Sequence, residues 1–191
     1  MNPATTATLA TGAFSGVDVG KMIVFGEPAY NQVMHFLIQE AKALDELRAD
    51  DWLAMLDDDL FYHMPLRRTT LRAEQQSYHE QTNWFHETKP SIAFKLMRVT
   101  ESGSAWADDP ATRVRRFVSN LTLYDTNEKD TYLAESYIMV SASRGNQHAP
   151  DIISARRDDV LRREGDGFQL LKRTILADYT VLGIPSLPFF F

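Results

Sequence analysis

A chain of 191 residues, 44% hydrophobic and 24% charged, has the size and make-up of one folded domain with a sizeable core. Its formal charge of -6 leaves no basic excess to neutralise the phosphates of a nucleic acid or an anionic membrane. With no cysteine, it can form no disulfide, thiolate zinc site, cysteine nucleophile or iron-sulfur cluster of its own.

No run approaches the roughly 20 apolar residues of a membrane span, and the opening MNPATTATLATGAF lacks both the basic start and the apolar block of a secretory signal. A soluble, cytoplasmic protein is expected, for which the acceptor triplet Asn120-Leu121-Thr122 has no meaning. Residues 1–20 are Thr, Ala and Gly with almost no charge and no apolar period. They read as a flexible arm ahead of a single domain over 21–191. Gly16 to Lys21 resembles the end of a phosphate-binding loop, but Ser15 and Met22 stand where that loop needs Gly and Ser or Thr.

From Pro28, which suits a first helical turn, Val33, Phe36, Leu37, Ala41, Leu44 and Leu47 recur at spacings of three and four, the pattern of an amphipathic helix. Asp50-Asp51 before Trp52, Leu53 and Leu56 predicts a second, short helix with acid at its positive end. Leu60, Tyr62 and Met64 alternate as a strand that Pro65 is expected to end. Residues 67–82 carry no readable period. Pro90 opens a third helix with Ile92, Leu96 and Val99 on one face and Gly103 as its stop. SGSAWADDPATR then reads as a loop. From Arg113 the period falls to two: 113–124, 131–144, 151–163 and 168–178 are long strands rich in Val, Ile, Phe, Tyr and Thr, separated by short polar turns. Helices first and a strand meander afterwards indicate an α+β fold, a curved antiparallel sheet with helices packed on one face.

Catalytic patterns are scarce. The five histidines, 35, 63, 79, 86 and 148, include no HExxH and no pair spaced three or four apart, and no GxSxG or GxGxxG occurs. Asp57-Asp58-Asp59 beside Tyr62 and His63 is the one grouping that could share acid/base work, although such acidic runs usually cap helices and line solvated turns. Arg113, Arg115 and Arg116 open a strand, the odd-numbered pair on one face. The apolar end GIPSLPFFF demands burial, either folded back on its own core or against another chain; its length favours the second.

The sequence resembles the small (β) subunit of Rieske-type aromatic-ring-hydroxylating dioxygenases. The match is carried by AKALDELRADDWLAMLDDDL running into Tyr62-His63-Met64-Pro65, by SAWADDPATRVRRFVSN, by RRDDVLRR and by LKRTILAD before an aromatic end. It spans about Val24 to Phe191. The resemblance implies a cystatin-like cone, as in nuclear transport factor 2 and ketosteroid isomerase, and a structural subunit with no catalytic, cofactor-binding or metal residues. The Rieske iron-sulfur cluster and mononuclear non-haem iron would reside on a larger α subunit, with α and β in a three-fold symmetric hetero-oligomer. Expected interface residues are Trp106, Asp108, Asp109, Arg113, Arg115, Arg116, Leu187, Phe189, Phe190 and Phe191, with the alternative that Trp106 plugs the sheet and the arginines pair with Asp108 and Asp109. Two other functions stand beside this one: a free-standing isomerase or dehydratase acting through Tyr62, His63 and one of Asp57 to Asp59, and a non-enzymatic ligand-binding module.

Overall fold

The computed structural model describes residues 16–69, 78–101, 112–146, 148–183 and 190–191. In chain order the elements are β1 (Val19–Ile23), α1 (Pro28–Asp45), α2 (Ala49–Ala54), β2 (Leu56–Arg67), β3 (Tyr78–Glu87), α3 (Lys89–Glu101), β4 (Arg113–Thr126), β5 (Thr131–Ser143), β6 (Asp151–Glu164) and β7 (Gly167–Ala177). The strands form one sheet in the order β1-β4-β5-β6-β7-β2-β3. Strands β4 to β7 make the expected antiparallel meander, but β2 lies parallel to β7, so the sheet is mixed. Alternation along a strand reports which face is buried and carries no information on the partner's direction.

The amphipathic stripe of α1 is buried through Val33, Phe36, Leu37 and Ala41. Leu47 leaves that stripe. The helix stops at Asp45, and Leu47 takes φ 56°, with Arg48 N bonded to Ala43 O and Leu47 N to Leu44 O. This is the double bond of a Schellman stop, built on a residue that pays the left-handed penalty glycine would avoid.

Three further boundaries differ from expectation. β1 begins at Val19 inside the stretch read as an arm, because its backbone pairs with residues 123–126 of β4. β2 runs through Pro65, where the register against β3 shifts on both sides, the kind of irregularity at which a strand tolerates proline. β3 begins at Tyr78, inside the unreadable stretch, its polar sequence masking a strand that lies at the sheet edge. Curvature enters β4 at Asn120, whose φ of 54° coincides with a register shift between Ser119 and Thr122. The Gly103 stop lies outside the described residues.

Helices α1, α2 and α3 contribute to one apolar core with the inward strand residues, including Val33, Leu37, Trp52, Leu56, Met64, Ile138, Val140 and Ile175.

Candidate functional site: the interior and the outer face of the sheet

The pleat of β6 sorts the run Arg156-Arg157-Asp158-Asp159 into two opposite-charge pairs, one on each face of the sheet. On the outer side, Arg156 Nε donates to Asp158 Oδ1 at 2.7 Å and Nη2 to Glu135 Oε1 at 2.7 Å. Burial raises the Asp158 carboxyl above its ordinary value against the pull of Arg156.

On the inner side, Arg157 and Asp159 meet Arg173 of β7 and Glu40 of α1, all 1% exposed or less. Arg173 Nε and Nη2 donate to the two oxygens of Asp159 at 2.7 and 2.8 Å. Nη1 and Nη2 donate to the two oxygens of Glu40 at 2.7 and 2.8 Å. The fifth N–H, on Nη1, reaches Phe191 O at 2.5 Å, so every donor of this guanidinium is used. Glu40 also accepts from Trp52 Nε1 at 3.2 Å and from Arg157 Nη1 at 3.5 Å. Burial works to raise the Glu40 carboxyl; Arg173 and then Arg157 overcome it and hold the group below its ordinary value. Two arginines balance two carboxylates, which is how four charges persist in a dry interior.

The end of the chain closes this cluster. Tyr62 Oη donates to Phe191 O at 3.0 Å and accepts from Phe191 N at 2.8 Å, and burial pushes its pKa up to about 12. Arg116 Nε and Nη2 both donate to Phe190 O, at 3.1 and 2.7 Å, while Nη1 donates to Asp45 Oδ1 at 2.6 Å. The Phe190 ring lies 4.9 Å from Trp52, 5.6 Å from Phe85 and 5.8 Å from Tyr62, centroid to centroid. Phe191 is fully buried.

Three of the expected interface residues have partners within the chain. Arg116 occupies an inward, even-numbered position of β4 and is paired within the chain by Asp45, as a buried cation must be. Phe190 and Phe191 fold back on their own core, the option their length disfavoured. Arg113 and Arg115 do share the outer face: Arg113 Nη2 donates to Ser143 Oγ at 3.3 Å and Gly145 O at 2.9 Å, and Arg115 Nη1 to Val114 O at 2.8 Å. Trp106, Asp108, Asp109, Leu187 and Phe189 lie outside the described residues. Beside the two arginines, Phe117, Tyr137, Met139 and Ile152 are exposed on three neighbouring strands, with Phe117 opposite Met139.

The acid/base grouping does not assemble. Tyr62 points inward, whereas His63, its strand neighbour, bonds Asn83 Oδ1 at 2.7 Å and sits with Phe61 and His86. Asp57 pairs with Arg162 at 2.8 Å and Asp58 with Lys89 at 2.7 Å. The implied iron groups do not fit this chain: a Rieske cluster needs thiolates, and the sequence has no Cys. Among the described residues no three His, Asp or Glu side chains converge as a metal site. No described helix is long and apolar enough to cross a membrane.

Glu40, Trp52, Asp159 and Arg173 went unrecognised in the sequence. The available signal was the opposite-charge alternation of RRDD inside a strand, which places one ion pair on the core side.

Comparison with known proteins agrees with this architecture. The naphthalene 1,2-dioxygenase structure with indole bound in the active site contains a chain that superposes with a TM-score of 0.75 at 22% identity, covering 87% of this chain and 89% of that one. Among curated sequences, the biphenyl 2,3-dioxygenase subunit beta of Rhodococcus jostii (strain RHA1) is 32% identical over 166 residues, 84% of this chain and 88% of that protein. The benzene 1,2-dioxygenase subunit beta of Pseudomonas putida is 32% identical over 164 residues, with the same shares. Residues 39–183 match the family described as ring hydroxylating beta subunit. The chain therefore belongs to the ring hydroxylating beta subunit family, the small subunits of aromatic-ring-hydroxylating dioxygenases.

Proposed function

We propose that this chain is the structural subunit of a cytoplasmic aromatic-ring-hydroxylating dioxygenase, holding in place a larger α subunit that carries a Rieske cluster and a mononuclear iron. The single observation that carries this reading is the filled interior: the place where a free-standing cone enzyme keeps its polar pocket holds Phe190, Phe191 and a cluster of paired arginines and carboxylates. A Tyr62 hydroxyl pushed to about 12 is a poor proton donor or acceptor near neutral pH. The substrate is an aromatic ring, as in the biphenyl and benzene enzymes of the relatives, and it is selected on the α subunit.

The partner-binding surface of this reading is the outer face of β4, β5 and β6, where Arg113 and Arg115 flank the exposed Phe117, Tyr137, Met139 and Ile152. Apolar patches rimmed by guanidinium groups are what subunit contacts bury. Trp106, Asp108, Asp109, Leu187 and Phe189 remain proposed contacts with the partner. The assembly is a closed three-fold ring of α and β subunits, which gives each patch one partner and leaves none exposed.

The test is purification of the chain alone and with the product of a neighbouring large-subunit gene. The complex is expected to contain iron and to hydroxylate an aromatic ring. The isolated chain is expected to hold no iron and to show no turnover. One iron per isolated chain, with activity lost in His63→Ala, would overturn the reading.

A further inference from the structure

The contacts around Phe190 and Phe191 are those of a binding site with its ligand in place. Three main-chain atoms of the pair have partners: Phe190 O takes two N–H groups from Arg116, Phe191 N donates to Tyr62 Oη, and Phe191 O accepts from Tyr62 and Arg173. These partners come from β4, β2 and β7, strands that the sheet holds rigidly in relation to one another. The ring of Phe190 is enclosed by Trp52 of α2, Tyr62 of β2 and Phe85 of β3, the tilted and edge-on arrangement in which aromatic groups attract. The residues making the polar contacts lie 18 to 129 positions away in sequence, on three different strands, so the tail is captured by a surface assembled from separate parts of the chain.

One feature shows that the receptor is incomplete without an occupant. Arg173 spends four of its five donors on Glu40 and Asp159, and without Phe191 O the fifth would be left unpaired in a dry interior. Arg157, 1% exposed, keeps one nitrogen, Nη2, with no hydrogen-bond partner among the described residues even with Phe191 in place, so the site holds a donor that the tail leaves unused. A cavity that presents guanidinium donors, a tyrosine hydroxyl and an aromatic box selects a small ligand with an oxygen acceptor beside an aromatic ring.

We propose that the interior of the cone is an aromatic-peptide binding site, specific for two adjacent aromatic residues, whose resident ligand is the chain's own Phe190-Phe191. The site lies within the structural subunit described above, and its test does not depend on the identity of the α subunit.

The experiment removes residues 190 and 191 and supplies N-acetyl-Phe-Phe to the shortened chain, with N-acetyl-Ala-Ala as control, followed by thermal melting and by Trp fluorescence. N-acetyl-Phe-Phe is expected to raise the melting temperature saturably, in proportion to the logarithm of its concentration above Kd, and N-acetyl-Ala-Ala to leave it unchanged. Tyr62→Phe, which deletes the hydroxyl that reads both main-chain groups of Phe191, is expected to weaken the dipeptide about tenfold. Should the shortened chain not fold by itself, refolding in the presence of N-acetyl-Phe-Phe is expected to recover native circular dichroism. Full-length Phe190→Ala provides a second arm, since a ring-sized apolar hole between Trp52, Tyr62 and Phe85 is expected to take up benzene and gain thermal stability from it, as the unaltered chain does not. Equal effects of the two dipeptides, or no dipeptide response together with no benzene response in Phe190→Ala, overturn the proposal. Loss of iron-dependent activity in a complex whose shortened subunit still responds to N-acetyl-Phe-Phe would bear on the proposed function and leave this site standing.

Discussion

The two faces of β6 carry the same residue types to different ends. Outward, Arg156 and Asp158 form a pair with Glu135 in which the arginine side chain keeps 22% of its exposure. Inward, Arg157 and Asp159 join Arg173 and Glu40 at 1% or less, and the cluster extends to Tyr62, Trp52 and the main chain of Phe191. On the outer face Arg156 can exchange a partner for water, although Asp158 is as buried as the inner residues; in the inner cluster no member can. Its members therefore depend on one another, so the inner face is where this chain is expected to lose its fold and the outer face is where it is expected to lose its partner.

The comparison breaks most sharply at Arg173. Arg173→Met leaves Glu40 and Asp159 as buried, uncompensated carboxylates and is expected to cost about 3–5 kcal/mol in urea unfolding. Arg156→Met, on the other face, strands one buried carboxylate, Asp158, in place of two, and is expected to cost less. Similar losses for the two would show that the pleat does not separate their roles.

Phe191→Ala comes next. A fully buried ring replaced by a methyl group is expected to destabilise the isolated chain by about 3–5 kcal/mol, toward the lower end where the neighbouring rings can close in. A variant that melted like the parent while the complex dissociated would return the tail to the interface.

The two carboxylates differ in the sign of their pH dependence as well. Glu40 has a folded-state pKa below its ordinary value of 4.5, so the stability it contributes is present above pH 4.5 and is lost as pH falls through the folded value. Asp158 has a folded-state pKa above its ordinary 3.8, so its contribution is present below pH 3.8 and shrinks as pH rises through the folded value. Stability measured from pH 3 to 7 is expected to fall steeply at the acid end in the parent and much less in Glu40→Gln, which starts lower throughout. Asp158→Asn is expected to change stability at pH 7 by less than about 1 kcal/mol. A flat acid limb in the parent would mean that Glu40 does not carry the charge assigned to it.

These contrasts also mark what could be read in advance. The four meander strands were legible to within a few residues, because alternation of Val, Ile, Phe and Tyr is imposed by a sheet with one dry face. The helix from Pro28 was legible for the same reason at period 3.6, although its last periodic member, Leu47, belongs to the stop. β3 was not, because an edge strand reading YHEQTNWFHE satisfies its polar groups in water and shows no apolar rhythm. The parallel β2–β7 pairing and the return of Phe190 and Phe191 join positions more than a hundred residues apart, and no local pattern encodes such a partner. The inner ion cluster was visible only as a charged strand, RRDDVLRR, whose partners Glu40 and Arg173 come from other elements. The family resemblance succeeded where site chemistry failed, since it rests on the order of residues along the chain rather than on their meeting in space.

The smallest effect on the fold is expected on the outer face. Phe117, Tyr137, Met139 and Ile152 are 54%, 53%, 43% and 44% exposed, so each has already forgone about half of the burial that would make it matter to the isolated chain. Phe117→Ser and Tyr137→Ser are therefore expected to change unfolding free energy by no more than about 0.5 kcal/mol. In the complex the same rings would be covered, and an aromatic anchor at the centre of a contact is worth about 2 kcal/mol or more, close to a thirtyfold loss of affinity for each substitution. Arg115→Ala, at the rim beside Phe117, is expected to act in the same direction and more weakly, with a salt dependence that the two serine variants lack. Sedimentation of each variant with the α subunit, set against circular dichroism of the small subunit alone, separates the two effects. Dissociation with an unchanged melting curve places the partner on this face. An intact complex carrying both serine substitutions would move the contact elsewhere, leaving the exposed apolar patch without a role and Trp106 as the next residue to test.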